Sequence, residues 1–466
     1  MATVCRISLK TTLNQRRQSR VFRAAATVSQ RAKEFCPLFE QVLKAILNLR
    51  LYDSVGREGE RLEQGKANGH LKAKEHLYEV DLMRAFIILG VVCVHIFSFY
   101  NLFAVPLSKT QVFFEGSLTA LHFTRESFMY ITGLVLFITY YKKPFRAWDF
   151  WNKRFKLIFI PYAAFTLIYI LFEGMYLKGF VWSFPYLAGT FLFSMLTGHQ
   201  FYLYYLIISM QVYILFPLFV AFMRKTERYH WWILAGSFVL ELGLMWLNKD
   251  YLQNLNITHF PAWLYWLIRY RDRNILTYQF WFIAGAVFAV NYQQVRAFIE
   301  KHGRLVIGVL IGSVVVLLAH YGLDRFVWKQ DETMSVLVLQ PIMIPYSFVI
   351  TMSLMYAGIV WSRNRLKNRV RWFSAFVKTA AAASFGVFLI HPLLLHFAEV
   401  TVYALHTTSL ERWVLLPLTI AAVYGGAILI ARGISSVPLL SYIVGQKSEP
   451  PRWLSAALQT ASSRTP

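Results

Sequence analysis

Of 466 residues 57% are hydrophobic and 15% charged, against roughly 45–50% apolar and about 25% charged in soluble domains, and the mean hydropathy is +0.44. That balance excludes disorder, a collagen-like repeat and a disulfide scaffold for the bulk of the chain, and the scattered Cys5, Cys36 and Cys93 show neither metal spacing nor a disulfide framework. Lys and Arg number 48 against 24 Asp and Glu, a net charge of +24; on so apolar a chain its expected partner is a lipid surface rather than nucleic acid.

Residues 1–76 are polar and carry no long apolar run. Within them residues 1–33 are basic, from Arg6 to Lys33, with Ser and Thr interspersed and no acid before Glu34. A mitochondrial transit peptide, a basic arm and an over-long gene start share that pattern, and the residues leave the three open. Leu38, Val42, Ile46 and Leu49 predict one amphipathic helix within 36–51, lying on the inner leaflet. The remainder of the segment is expected to be disordered or loosely helical.

From residue 80 to 433, ten apolar stretches recur, each long enough to cross a ~30 Å hydrocarbon core at about 1.5 Å per residue. They are 82–103, 118–140, 156–176, 201–222, 231–248, 278–295, 304–321, 342–361, 384–404 and 413–432. A shorter stretch with a proline, 181–197, is expected to be interfacial or re-entrant. The pattern predicts an all-α polytopic bundle of about ten transmembrane helices spanning 77–433, with a basic extension at 1–76 and a short cytoplasmic tail at 434–466.

Loop charges test the count independently. Alternate loops collect Lys142, Lys143, Arg146, Lys153 and Arg154, then Arg224, Lys225 and Arg228, then Arg296, Lys301 and Arg304, then Arg363 to Lys378. The intervening loops balance Arg269, Arg271, Arg273, Arg325 and Lys329 with nearby acids. Basic loops face the cytoplasm, so both termini are expected there, in a plasma-membrane protein.

Ionisable groups inside a span cost about 2.5–3.5 kcal/mol at a helix centre on insertion scales, which makes each one a functional candidate. Arg84 and His95 on the first span are three helical turns plus about 20° apart, so they share one face about 16 Å apart along the axis. A histidine there suits removal of a hydroxyl proton near neutral pH. A cation at the inner rim suits a phosphate-bearing donor. A snorkelling Arg and a structural His satisfy the same pattern. On the second span Arg125 could bind a phosphate or polarise a carbonyl, with Glu126 positioning it or His95; a structural ion pair is the alternative. Glu241, His391 and His396 read as interhelical contacts, and His199 as an outer-side residue able to meet a sugar. The sequence has no Walker A run, no His-Glu-x-x-His and no Gly-x-Ser-x-Gly, so phosphoryl transfer, zinc hydrolysis and α/β-hydrolase chemistry lose support. No metal site is readable.

Arg84, ten residues, then His95 on the first helix resembles the acyltransferase 3 family. Further stretches follow the family in order. Ser127-Phe-Met-Tyr-Ile-Thr-Gly133 is similar to its Phe-Phe-x-x-Ser-Gly, with Thr132 in place of Ser. Lys153-Arg154-Phe-Lys156 leading to Pro161-Tyr162 is similar to its basic cluster before Pro-Tyr. Gly198-His199-Gln200-Phe201-Tyr202-Leu203 is similar to Gly-His-Leu-Trp-Phe-Leu, departing at Gln200 and Phe201. Ser384 to Pro392 is similar to a late Ser-x-x-x-Tyr-Leu-x-His, with Phe388 for Tyr and ending on His391.

The resemblance implies an integral-membrane O-acyltransferase of the stand-alone form, without the esterase-like domain often appended in the family. It implies an acyl group, usually acetyl, moving from cytoplasmic acyl-CoA to a hydroxyl of an extracytoplasmic glycan or lipid-linked saccharide, with no resident cofactor. His95 is then general base or transient acyl carrier, Arg84 with Lys153, Arg154 and Lys156 holds CoA phosphates, and Arg125 steadies the oxyanion. A carrier or flippase of lipid-linked saccharides is the rival class. Nothing in residues 1–76 resembles the family, so deleting 1–70 is expected to leave membrane insertion and acyl transfer intact. Loss of transfer with normal insertion, read by fractionation and activity assay, would contradict that.

Overall fold

Hydrocarbon offers no partner to a backbone amide or carbonyl, so a lipid-facing chain closes its hydrogen bonds within helices. The computed structural model follows that rule over the residues it describes, 76–446 except 178 and 439, which contain no strand. The expected helix within 36–51 lies outside them. The principal helices are α1 (Tyr78–Asn101), α2 (Lys109–Leu121), α3 (Thr124–Tyr140), α4 (Ala147–Tyr176), α5 (Phe184–Thr197), α6 (Tyr204–Lys225) and α7 (His230–Trp246). They continue with α8 (Ala262–Arg269), α9 (Gln279–Val290), α10 (Tyr292–Lys301), α11 (Gly303–Gly322), α12 (Met343–Asn364), α13 (Arg371–Ala404) and α14 (Ser409–Ser435).

Among the described residues eight helices are long and apolar enough to cross a membrane, and nine if one bent pair is counted as a span. Ten was therefore approximate, and both departures have local causes. The stretch 118–140 is broken at His122-Phe123 into α2 and α3. Helix α2 buries Gln111, Glu115 and Thr119 and does not cross. Helix α3 has 17 residues, about 26 Å at the usual rise and a little short of the ~30 Å core. The stretch 278–295 ends at Asn291, where the chain turns by 94° into α10. That helix buries Val295 and Ile299 and exposes Gln293, Gln294 and Lys301, the pattern of a helix lying in an interface. Residues 181–197 form α5, whose 14 residues are too few to span.

Helix α1 is the centre of the bundle. It packs against α2, α12, α13 and α14, and Met83, Ile87, Ile88, Val92 and Ile96 are fully buried along it. Tyr424 on α14 donates to the Ala85 carbonyl at 2.9 Å, and the Tyr100 and Thr419 hydroxyls meet at 2.8 Å. Helices α3 and α9 approach until backbone meets backbone: a Cβ on Gly285 would lie 2.2 Å from the Tyr130 carbonyl oxygen, and one on Gly133 would lie 2.5 Å from that of Phe282. Small residues at such a crossing let helices pack where no hydrophobic drive exists between them. Glu241, 1% exposed, accepts a 3.1 Å hydrogen bond from Gln279, an interhelical contact between α7 and α9.

The basic connections share one end of the bundle. Arg224 donates to the Tyr140, Tyr141 and Lys143 carbonyls, Arg363 pairs with Glu300, and Arg365 lies 3.7 Å over the Tyr78 ring. Past α14, residues 440–444 form a tight turn with Val444 fully buried. Gly445 next to it takes a positive φ of 67° and lies against Phe385 and the Leu157 carbonyl. The opposite end is built from a buried polar network. Two π-helical turns, 247–252 and 323–327, bring Lys249 to Asp324 at 2.7 Å and to Gln340 at 2.8 Å.

Candidate active site

A cavity of about 770 Å³ runs inside the bundle, and Arg84, His95 and Arg125 all line it. Their convergence comes from helix geometry: the eleven-residue spacing keeps Arg84 and His95 on one face of α1, and α3 begins beside that face and brings Arg125 to it. Arg154 of α4 is a fourth lining residue, and Gly445 and Gln446 complete the wall near Arg84.

Neither guanidinium at this end makes a direct ion pair among the described residues, and only Asp81, one turn from Arg84, acts on Arg84 through space. Among the described residues Arg84 has no hydrogen-bond or ion-pair partner; Asp81, one turn before it, binds His76 instead at 2.6 Å. The Arg154 Nε is buried without a hydrogen-bond partner, and its guanidinium lies 5.8–6.0 Å from the ring centres of Tyr140, Tyr213 and Phe150. Aromatic faces hold a cation in place without neutralising it. Lys153 and Lys156, grouped with Arg154 by the sequence, are exposed and do not line the cavity.

His95 is held by its neighbours' rings. Tyr202 stacks on it with centroids 3.6 Å apart and planes inclined by 18°. His391 stacks at 5.4 Å. The His391 Nδ1 donates to the Val387 carbonyl at 3.0 Å, which leaves its Nε2 as an acceptor, buried and without a partner. The motif from Gly198 to Leu203 supplies the Tyr202 ring of this stack. Gly198 closes α5 with a positive φ of 62°, where a Cβ would strike the Tyr204 backbone at 2.5 Å, and Phe201 also takes a positive φ, of 43°. Together these turns aim Tyr202 at His95.

Arg125 and Glu126, adjacent in sequence, do not pair. The Arg125 Nη1 donates to the Tyr204 hydroxyl at 2.8 Å. Glu126 is 4% exposed, with Oε2 lacking a hydrogen-bond partner, and it sits behind the cavity wall rather than in it. Thr132 lines the cavity and its hydroxyl donates to the Phe128 carbonyl at 2.9 Å. The sequence missed three participants. Tyr202 lies inside the Gly198–Leu203 stretch, but nothing in one sequence says which ring faces His95. His391 carries only a packing signal in the sequence, and Arg273, which lines the far end of the cavity, only that of a loop charge. Among the described residues no three His, Cys, Asp or Glu side chains are placed to hold a metal ion.

The acyltransferase 3 family model, an acyltransferase domain, matches residues 77–432. The chain belongs to that family. It is a multi-pass membrane protein and an acyltransferase, and the stretches that resemble the family contribute Thr132, Arg154, Tyr202 and Phe388 to the wall of one cavity. Relatives include a probable poly-beta-1,6-N-acetyl-D-glucosamine export protein of Staphylococcus epidermidis, 23% identical over 382 residues, 80% of this chain and 96% of that protein. A protein of the same name from Staphylococcus aureus strain MSSA476 is 25% identical over 270 residues, 58% of this chain and 67% of that protein. No solved structure matches.

Because the Tyr202 ring fixes the plane of the His95 imidazole, Tyr202→Phe is expected to keep kcat near that of the unaltered enzyme. Tyr202→Ala is expected to lower kcat by about 10–100-fold with little change in KM for the acyl donor, the scale of a misplaced reacting group. Steady-state kinetics in membranes checks this, and an unchanged kcat for Tyr202→Ala would contradict it.

Proposed function

We propose that this enzyme takes an acyl group, acetyl by preference, from acyl-CoA at the Arg84 end of the cavity and delivers it to a saccharide hydroxyl arriving from the opposite end. The supporting observation is the cavity itself, which carries unpaired cations at one end and a ring-clamped histidine further along. Arg84 and Arg154 hold the phosphates of CoA, with Lys153 and Lys156 adding surface charge at the mouth. The acyl thioester extends along the cavity to His95. His95 takes the hydroxyl proton as the acceptor oxygen attacks the thioester carbonyl, and returns it to the departing CoA sulfur. Arg125, steadied by Tyr204, stabilises the developing oxyanion. Glu126, buried behind Arg125, acts as a positioning residue for it. Basic loops at the Arg84 end support a cytoplasmic donor side, with both termini there and the protein in the plasma membrane.

The name of the staphylococcal relatives, export protein, favours a second reading in which the chain carries a saccharide rather than acylating it. Acetyl-CoA separates the two: ligand binding to the folded state raises the thermal midpoint by mass action, and a carrier gains nothing from it. Purified protein given radiolabelled acetyl-CoA is expected to label a cell-envelope saccharide fraction. His95→Ala is expected to lose transfer by about 10²-fold or more, while Arg84→Ala raises KM for acetyl-CoA more than it lowers kcat. Full transfer by His95→Ala would remove the role given to that residue.

A further inference from the structure

A second cavity of about 600 Å³ opens at the end opposite Arg84 and shares Arg125, Asp272, Arg273 and Val338 with the first. It is an outer vestibule to the reaction site, and its wall combines two features, stacked rings and unevenly balanced charge.

One is a ladder of flat groups. Trp266 and Tyr270, one turn apart at the end of α8, stack with centroids 5.4 Å apart and planes inclined by 9°. The Arg273 guanidinium lies 4.3 Å from the Tyr270 ring centre and 5.6 Å from that of Tyr204. Tyr204 is the residue that holds Arg125. The ladder therefore leads from Trp266, 47% exposed at the mouth, to the wall of the inner cavity. Apolar ring faces with polar groups at their edges suit a ligand that is apolar on one face and hydroxylated at its rim, which describes a sugar ring.

The other feature is charge. Arg125, Arg269, Arg271 and Arg273 line the vestibule with one acid, Asp272. Asp272 lies 3.8 Å from the Arg273 Nε, an ion pair too long for a hydrogen bond. Arg269 is exposed and has no hydrogen-bond or ion-pair partner among the described residues. Arg271 is anchored through neutral groups, donating to the Ile268 carbonyl at 2.9 Å and to the Asn248 side chain at 2.5 Å. Asn248 in turn donates to the Leu339 carbonyl at 2.6 Å, and its neighbour Lys249 is tied to Gln340 and Asp324. The buried network thus fixes the vestibule wall and leaves the guanidinium charge unspent. His199 at the rim is held below the usual imidazole range by burial and by Arg273 and Arg269, so it adds hydrogen-bonding capacity without charge at neutral pH.

We propose that this vestibule is an acceptor subsite selecting a saccharide that carries negative charge, as a carboxylate on the sugar or a phosphate linking it to a carrier. The inference rests on the acyl-transfer reading for the word acceptor, but the binding itself does not. The ring ladder supplies affinity for the sugar face, and the arginines supply the preference for charge. A polymer of glucosamine with free amino groups would meet four guanidinium groups and be repelled.

The test uses the full chain in lipid nanodiscs, without acyl-CoA, and equilibrium titration with four probes. These are an oligosaccharide of alternating glucuronate and N-acetylglucosamine, a neutral N-acetylglucosamine oligomer, a glucosamine oligomer and a polyprenyl phosphate. At least one anionic probe is expected to bind about tenfold or more tighter than the neutral and amino oligomers, with affinity falling as salt rises. Tightest binding by the glucuronate probe assigns the charge to the sugar, and by the polyprenyl phosphate to the carrier. Arg269→Ala is expected to weaken the tighter anionic probe by about fivefold and spare the neutral one, Arg269→Lys to restore most of that loss, and Trp266→Ala to weaken both the glucuronate and the neutral N-acetylglucosamine oligosaccharides. Binding of the neutral or amino oligomer as tight as the anionic probes, no binding by any probe, or no effect of Arg269→Ala would overturn the proposal. A chain that binds the charged probe yet transfers no acetyl keeps this inference and loses the acyl-transfer reading. A chain that transfers acetyl but ignores charge does the reverse.

Discussion

An uncompensated cation inside a membrane bundle is the constraint on which the rest of this structure depends. A guanidinium cannot be left bare in hydrocarbon, and burying one without a partner costs several kcal/mol or more, unless water or a ligand reaches it. Neither Arg84 nor Arg154 is bonded to a carboxylate among the described residues, Asp81 acting on Arg84 only through space, so the helices around them must leave a solvated space, and the cavity is that space. Its shape follows. Helix α1 carries Arg84 to one end and His95 inward along the same face, while α3 starts abruptly at Thr124 so that Arg125 reaches the cavity from its own first turn. The tight Gly133–Gly285 crossing of α3 and α9 holds that short helix in place although it is scarcely long enough to span.

Two kinds of polar organisation coexist in the bundle, and they do different work. Around Lys249, Asp324 and Gln340 the charges are paired and bonded. In such a paired buried network the mutual attraction roughly offsets the desolvation of the ions, and removing one partner would strand the other at a cost of about 3–5 kcal/mol. Around the cavities the charges are supported by aromatic faces and neutral oxygens, which orient a guanidinium while leaving its field available to a ligand. Arg154 among Tyr140, Phe150 and Tyr213 and Arg273 between Tyr204 and Tyr270 repeat this device at opposite ends. A substrate phosphate or carboxylate then meets a preorganised cation that is unpaired at Arg154 and only loosely paired, with Asp272 at 3.8 Å, at Arg273, an arrangement that favours binding and transition-state charge alike.

Much of this was legible in the amino-acid order. Apolar run length revealed the helical membrane class, and a spacing of eleven placed Arg84 and His95 on one face because helical periodicity is local. Local rules failed where tertiary geometry decides. The run at 118–140 is continuously apolar enough to read as one span, yet buried polar groups on α2 and the start of α3 at the cavity divide it. The run at 278–295 hides a right-angled turn at Asn291, since an amphipathic surface helix and the end of a span look alike in composition. Lys153, Arg154 and Lys156 were one cluster in sequence, but helical rotation turns only Arg154 inward. Tyr202, His391 and the Trp266–Arg273 ladder belong to segments far apart in the chain, and no periodicity within one segment can report a stack formed between several.

The central claim is that donor and acceptor meet from opposite sides of the bilayer. Sidedness of transfer in sealed proteoliposomes tests it most directly. Radiolabelled acetyl-CoA, which does not cross lipid, is supplied only outside, and an acceptor oligosaccharide is sealed inside. The account predicts that label accumulates on the enclosed oligosaccharide, through those molecules whose Arg84 end faces outward, and that it is released only when the vesicles are lysed. Labelling that occurs only when donor and acceptor share one compartment would contradict it.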